Sequence, residues 1–261
     1  MSTVPKSKLA RITLDIAPPV ARITLTHPPH NVIDLPMMDE LLAALEQIEQ
    51  RTDVSITILS GSDRTFSAGV DVAAHAPDQV AAMLGKFHSV IRALIATRKV
   101  TIAAVRGNCL GGGAELALVC DMVCTTSSAN WGFPEIKLAC FPPVAVVALS
   151  AAVGQKRAAD LILSGRTISG EEAKQIGLAN DAVADSDLDR VVNQAVARLA
   201  ELSPAALAAT KKALYSWDAI HFDKGLQRAE KIYLDELMQT ADAHEGISAF
   251  MEKRKPVWKG K

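Results

Sequence analysis

Apolar and polar residues alternate over Ala10–Ile16 and again over Val20–Thr26, which predicts two strands on either side of Pro18-Pro19, paired as a hairpin or as neighbours. His27-Pro28-Pro29-His30-Asn31 reads as a loop. From Met37 to Gln50 the period changes. Leu41, Leu42, Leu45 and Ile48 share one face and acidic residues take the others, the pattern of an amphipathic helix. Val54–Leu59 is a short apolar run, hence a buried strand, and it ends in Ser60-Gly61-Ser62-Asp63. Pro77–Thr97 carries a helical stripe of Val80, Met83, Leu84, Phe87, Val90, Ile91 and Leu94. Thr101–Val105 and Met122–Thr126 read as further strands. Ile136–Gly154 is interrupted by Phe141-Pro142-Pro143, with Pro143 suited to the first turn of a helix and the apolar run Val144–Leu149 behind it. Beyond Gln155 the helical period dominates, over Arg157–Leu163, Gly170–Ile176, Leu188–Leu202, Pro204–Tyr215 and Asp223–Met238. Ser169-Gly170-Glu171-Glu172 and Ser203-Pro204 mark helix starts. The tail Ile247–Lys261 holds a small cationic cluster, Lys253-Arg254-Lys255, read as a solvated end. Strands and helices thus alternate in the first half and helices fill the last ~100 residues, an α/β core with a helical C-terminal portion.

Composition narrows the function classes. The 261 residues are 49% hydrophobic and 22% charged, those of a globular chain with a sizeable core, as one large domain or a main domain with an appendage. A net charge of −1 without a basic run argues against nucleic acid as the main partner. No apolar stretch is long enough to span a membrane and MSTVPKSK lacks the apolar region of a signal peptide, so a cytoplasmic protein is expected. Cys109, Cys120, Cys124 and Cys140 form no C-x-x-C pair and have no supporting histidines, so no metal is expected. Cys109, beside the glycines described next, reads as a small buried thiol rather than a nucleophile.

The candidate chemistry lies between Ala103 and Glu135. A strand ends at Val105, Arg106-Gly107-Asn108 signals a turn, and Gly111-Gly112-Gly113 leads into the helix formers Ala114-Glu115-Leu116-Ala117-Leu118. Glycines at such a junction allow unusual backbone angles and let a ligand approach the bare main chain. Helix-start N–H groups lack partners within the helix. Donors of this kind, with the carboxylates of Glu115 and Glu135 nearby, fit proton transfer beside a carbonyl. A second set of exposed N–H groups arises in Thr65–Asp71, although that stretch alone also reads as a tight turn.

Phe66-Ser67-Ala68-Gly69-Val70-Asp71, Ala103–Glu115 and Phe133-Pro134-Glu135, in this order and at these separations, resemble the crotonase (enoyl-CoA hydratase/isomerase) superfamily. The resemblance extends over almost the whole chain, including Leu163–Ser169 and the ending Ser248–Lys255. It implies a spiral of ββα units over residues 1–200 and a helical trimerisation region over residues 201–261. The assembly it implies is a homotrimer, or a hexamer built as a dimer of trimers. It puts an oxyanion hole on the N–H groups of Val70 and Gly112, a base on Glu115 and an acid on Glu135. Ala68, Asp71, Gly111 and Lys253 become substrate or CoA contacts. Coenzyme A enters as part of the substrate, with no separate cofactor. Retention of both acids favours hydration of an enoyl thioester. Double-bond isomerisation, which moves protons but adds no water, stays open as an alternative. A non-catalytic CoA-binding scaffold is disfavoured by the same two acids.

Two departures from the family pattern bear on the substrate. Ala73 stands where many members carry a lysine near the adenine end of CoA, and Leu138–Val147 replaces a glycine-rich segment after the second acid. With Gly69–Pro77 and Phe87-His88, that segment resembles the cyclohexa-1,5-diene-1-carbonyl-CoA hydratases. Two prolines and branched residues, Val144 and Val147 among them, are expected to fill the acyl site and leave a short, flat, apolar pocket. A cyclic or short acyl group would suit such a pocket.

Overall fold

The computed structural model describes residues 7–8, 11–62, 64–76 and 78–260. Ala10, Asp63, Pro77 and Lys261, which the sequence reading placed at a strand start, a turn, a helix start and the tail, lie outside the described residues. The chain opens with β1 (Ser7–Lys8), β2 (Ile12–Ala17) and β3 (Val20–Leu25), paired antiparallel. Alternation in β2 and β3 buries Ile12, Leu14, Ile23 and Leu25 on one face, as the hairpin pattern predicts. α1 (Leu35–Gln50) begins two residues before the predicted Met37, because the Asp34 carboxylate accepts the Met37 N–H at 2.9 Å and Pro36 fits the first turn.

Three successive units then repeat one plan. The first is β4 (Ile56–Ser60), β5 (Thr65–Ser67) and α2 (Val80–Ala96), with a 3-10 turn over Val72–His75 before the helix. The second is β6 (Val100–Val105), β7 (Asn108–Leu110) and α3 (Gly112–Leu118). The third is β8 (Met122–Thr126), β9 (Asn130–Gly132), a 3-10 turn over Pro134–Leu138 and α4 (Pro143–Val153). In each unit the first strand joins a seven-stranded sheet and the second a four-stranded one. α5 (Gln155–Ser164), β10 (Thr167–Ser169), α6 (Gly170–Gln175), β11 (Asp181–Val183) and α7 (Leu188–Ala200) complete the core. The larger sheet runs β1-β2-β3-β4-β6-β8-β11 and the smaller β10-β9-β7-β5. From β3 to β11 the larger sheet is parallel, so β4 and β6 are covered on both faces and read as unbroken apolar runs. Ile56, Ile58 and Ile102 pack on Leu188, Val191, Val192 and Ala195 of α7, while Leu59, Ala103 and Val105 face the main core.

The sequence reading missed β5, β7, β9, β10 and β11. Each is three residues long, too short for a period to register. It also divided the C-terminal region differently. The predicted helices Pro204–Tyr215 and Asp223–Met238 are one helix, α8 (Pro204–Lys231), followed by a π turn over Ile232–Glu236, a 3-10 turn over Leu237–Gln239 and α9 (Ala241–Met251). No proline or glycine interrupts residues 216–222, so the helical bonds continue. Thr240 starts α9 by accepting the Ala243 N–H at 3.1 Å. Polar contacts fasten α8 to the core, those of Lys211 and Glu230 being the most buried. The buried Lys211 pairs with Asp121 at 2.7 Å, and His88 of α2 meets Glu230.

Candidate active site

Two glycines shape the first half of the site. Gly69 follows β5 with φ +107, and Gly111 precedes α3 with φ +52, angles at which a side chain is strained. Around Gly69 the chain is pinned to the loop at Ile33: the Ile33 N–H donates to Gly69 O at 2.9 Å and the Asp71 N–H to Ile33 O at 3.1 Å. The intervening Val70 N–H donates to no acceptor among the described residues, nor does that of Gly112, the first residue of α3. A Cβ at Gly112 would lie 3.4 Å from Val70 N and 2.6 Å from Val70 Cγ2, and one at Gly69 3.5 Å from Gly112 N. The two free N–H groups therefore flank one small space that only bare backbone leaves open, a geometry able to hold an anionic oxygen.

Two carboxylates occupy the other side. Glu115, in α3, is 3% exposed, and its Oε1 accepts the N–H groups of Val144 and Ala145 at 2.9 and 3.0 Å. These are N–H groups of the first turn of α4, which have no partner inside their own helix. Glu135 comes from the 3-10 turn after β9, and a Cβ on Gly111 would fall 2.5 Å from its Oε1. Gly111 thus admits the second acid as well as starting the helix. Glu135 Oε2 is buried without a partner. Burial raises both carboxyls above the usual range. Glu115 reaches about 7, with its two N–H donors opposing the rise, and Glu135 about 8, with the Glu115 charge adding to it. The environments differ in kind: two N–H donors favour the ionised form of Glu115 against its burial, whereas Glu135 Oε2 has no donor and the Glu115 charge favours its protonated form.

Both acids, Val70 and Gly112 line one cavity of about 300 Å³. Its remaining wall is largely apolar, with Met83, Leu84 and Phe87 of α2 facing Phe141, Pro142 and Pro143. Ala68 and Gly111 also line it, but their N–H groups are committed to His30 O and Gly132 O, both at 2.9 Å, so they contribute shape rather than donors. Asp71 and Lys253 are not brought into this wall. Asp71 caps the 3-10 turn by accepting the Ala73 N–H at 3.0 Å, and Lys253 is exposed beyond α9. Cys109 is fully buried and burial lifts its thiol well above the ordinary value, in keeping with a packing role. Among the described residues no group of three or more His, Cys, Asp or Glu is placed to hold a metal ion.

The expectation for Val144 and Val147 is corrected. Neither lines the cavity. Val144 turns into the core, Val146 is 45% exposed, and Val147 packs against α8, where a Cβ on Gly225 would meet its Cγ1 at 2.9 Å. The cause is helix geometry. Once Pro143 starts α4, successive side chains turn by about 100° and spread around its circumference. The Phe141-Pro142-Pro143 segment ahead of the helix lines the cavity instead. Sequence reasoning also missed two lining residues. His75 donates its Nδ1–H to Asp71 O at 3.0 Å, and burial lowers its pKa. Tyr233 arrives from the π turn, about a hundred residues away from Glu135, and no local signal announces it.

Residues 15–261 match the family described as Enoyl-CoA hydratase/isomerase. Over 246 residues the chain is 37% identical to a 2,3-dehydroadipyl-CoA hydratase of Escherichia coli, covering 93% of this chain and 96% of that one. It is 34% identical over 240 residues to a cyclohexa-1,5-dienecarbonyl-CoA hydratase of Thauera aromatica, covering 92% and 93%. Among solved structures, an enoyl-CoA hydratase from Mycobacterium avium subsp. paratuberculosis superposes with a TM-score of 0.87 at 25% identity, over 97% of this chain and 100% of that one.

Proposed function

Since this chain belongs to the enoyl-CoA hydratase/isomerase family, we propose that it adds water across the Cα–Cβ double bond of an enoyl or dienoyl thioester of coenzyme A. The thioester carbonyl accepts the N–H groups of Val70 and Gly112. Glu115, ionised, takes a proton from water as the oxygen bonds to Cβ. The electron pair of the double bond moves onto the carbonyl oxygen, and the resulting enolate is held by the two donors, each worth ~2.7–4 kcal/mol of barrier in comparable sites. Glu135, protonated, delivers its proton to Cα. The observation that carries this reading is the unequal pair of buried acids. One is held by two N–H donors and the other has a bare oxygen, and they face the free N–H groups across one cavity. Coenzyme A enters as part of the substrate and no other cofactor takes part.

The acyl group we assign is compact, either cyclic or short. A cavity of about 300 Å³ with Phe141, Pro142 and Pro143 in its wall supports this. So does the cyclic diene in the name of the Thauera aromatica relative, whereas the Escherichia coli relative is named for an open-chain substrate. The reaction would then belong to fatty acid or aromatic acid degradation. We place the protein in the cytoplasm as a homotrimer or a dimer of trimers. Exposed Leu214, Phe250, Met251 and Trp258 in the region 201–261 support an apolar contact there. The deciding assay follows loss of enoyl thioester absorbance with crotonyl-CoA, the cyclic dienoyl-CoA, and eight- and twelve-carbon enoyl-CoAs. Product mass is read alongside it. Gain of one water identifies hydration. Double-bond movement without gain of water would assign isomerisation instead, and preference for the longest linear chain would sink the compact acyl group.

A further inference from the structure

Three polar side chains of the cavity wall, His75, Lys137 and Tyr233, have no part in the steps above, and of these only Tyr233 is fully buried with its polar atom unpaired. Tyr233 stands in the π turn Ile232–Glu236 and is 1% exposed. Its ring meets Phe141 edge-on with centroids 5.1 Å apart. Its hydroxyl is buried without a hydrogen-bond partner. The Cys140 thiol beside it donates to Leu138 O at 3.5 Å and offers the hydroxyl only a weakly accepting sulfur. Among the described residues, five buried side-chain polar atoms lack a partner, and two of them, Tyr233 Oη and Glu135 Oε2, belong to residues lining this one cavity. An unpaired buried polar atom destabilises a fold, and phenylalanine would fill the same space without that cost. A polar guest in the cavity accounts for the hydroxyl. The π turn adds to this, since such turns re-aim single side chains and recur at functional sites. Burial raises the phenol above its ordinary value, so the group is neutral and can donate.

Elimination indicates which atom it serves. The thioester oxygen has Val70 and Gly112, and Cα has Glu135. The water oxygen has no donor assigned to it, since His75 Nδ1 is committed to Asp71 O and Lys137 is exposed, and a water in this largely apolar cavity needs two to four polar partners. We propose that the Tyr233 hydroxyl donates a hydrogen bond to the attacking water, making it a third catalytic group beside Glu115 and Glu135. This rests on the hydratase reading. The balance of the step is unchanged: Glu115 gains the proton that water loses, the oxygen–Cβ bond forms, and Cα gains the proton of Glu135. Tyr233 keeps its own proton and turns a lone pair of the water toward Cβ.

Tyr233→Phe in the full-length, assembled enzyme tests this with three readouts. These are hydration kinetics, exchange of the α hydrogens of a saturated acyl-CoA in deuterated water, and the melting temperature. Exchange at Cα needs the oxyanion donors and Glu135 but no attacking water. The expected result is a fall in hydration kcat of about tenfold or more, with KM and α exchange within about twofold of the unmodified enzyme and the melting temperature not lowered. Unchanged hydration would overturn the proposal. So would hydration and exchange falling together, which would make Tyr233 a packing residue. An unmodified enzyme that exchanges α hydrogens yet never hydrates would remove the hydratase reading itself, and the role of Tyr233 with it. Failure in the variant alone concerns Tyr233 only.

Discussion

Replacing Glu135 by glutamine should stop the reaction and stabilise the fold together, because burial of one carboxyl governs both. The Glu135 carboxyl is pushed up to about 8 in the folded protein from an ordinary value of 4.5, by burial first and the Glu115 charge second. Between those two values the folded chain holds a proton that the unfolded chain has released. A raised folded pKa means that this stability is fully present below about 4.5 and is lost as pH rises through about 8. At pH 7, with about 1.4 kcal/mol for each pH unit above the unfolded value, the loss reaches about 3 kcal/mol. Glutamine carries no such loss. Its amide brings donors of its own into the same pocket, so a net gain of about 1–2 kcal/mol is expected. In a chain of this size that raises the melting temperature by ~2–4 °C per kcal/mol. The assay is thermal unfolding of both proteins across pH 5 to 8 in parallel with hydration. The variant should be slightly the less stable protein at the acid end and gain steadily on the unmodified one as pH rises, overtaking it before pH 7, while turnover falls by at least ~10²-fold. A pH-independent difference in melting temperature, or a variant that loses ground as pH rises, would mean that Glu135 is ionised in the fold and cannot be the acid.

The other expectations concern the rest of the site. Glu115→Gln should also lower turnover by at least ~10²-fold with the fold intact, and near-normal hydration would remove it from the mechanism. For the unmodified enzyme, kcat/KM should rise with pH as Glu115 ionises near about 7 and fall as Glu135 loses its proton near about 8. A profile flat across that range would contradict the assignment of base and acid. Gly112→Ala puts a methyl 2.6 Å from Val70 Cγ2 and pushes the two N–H groups apart, so turnover should fall well beyond any loss of CoA thioester binding. Equal losses would make Gly112 a packing residue. Phe141→Ala should shift preference toward longer acyl chains, whereas Val147→Gly should cost roughly 0.5 kcal/mol of helix propensity, together with its lost packing on α8, and leave that preference alone. The reverse outcome would show that the cavity wall has been misassigned.

Much of this was legible in the chain alone. Period two over β2 and β3, period 3.6 over α1 and α2, and the unbroken apolar runs of β4 and β6 each record which faces an element buries. Gly111-Gly112-Gly113 before Ala114-Glu115 marked a strand-to-helix junction with backbone donors, and the resemblance to the family singled out Glu115 and Glu135 as paired acids. Tertiary structure decided the rest. The three-residue strands β5, β7 and β9 have no period of their own and form only because the four-stranded sheet supplies their partners. The direction of Val144 and Val147 depends on where α4 begins, since each residue turns the next side chain by about 100°. The inequality of the two acids comes from the start of α4 meeting Glu115 across the fold, not from any feature near Glu115 in sequence. Tyr233 reaches the cavity only because a long helix, fastened through Lys211 and Glu230, ends in a π turn above it. Local pattern reports burial by face. Which groups converge on a site depends on contacts between segments far apart in the chain, and those contacts exist only after folding.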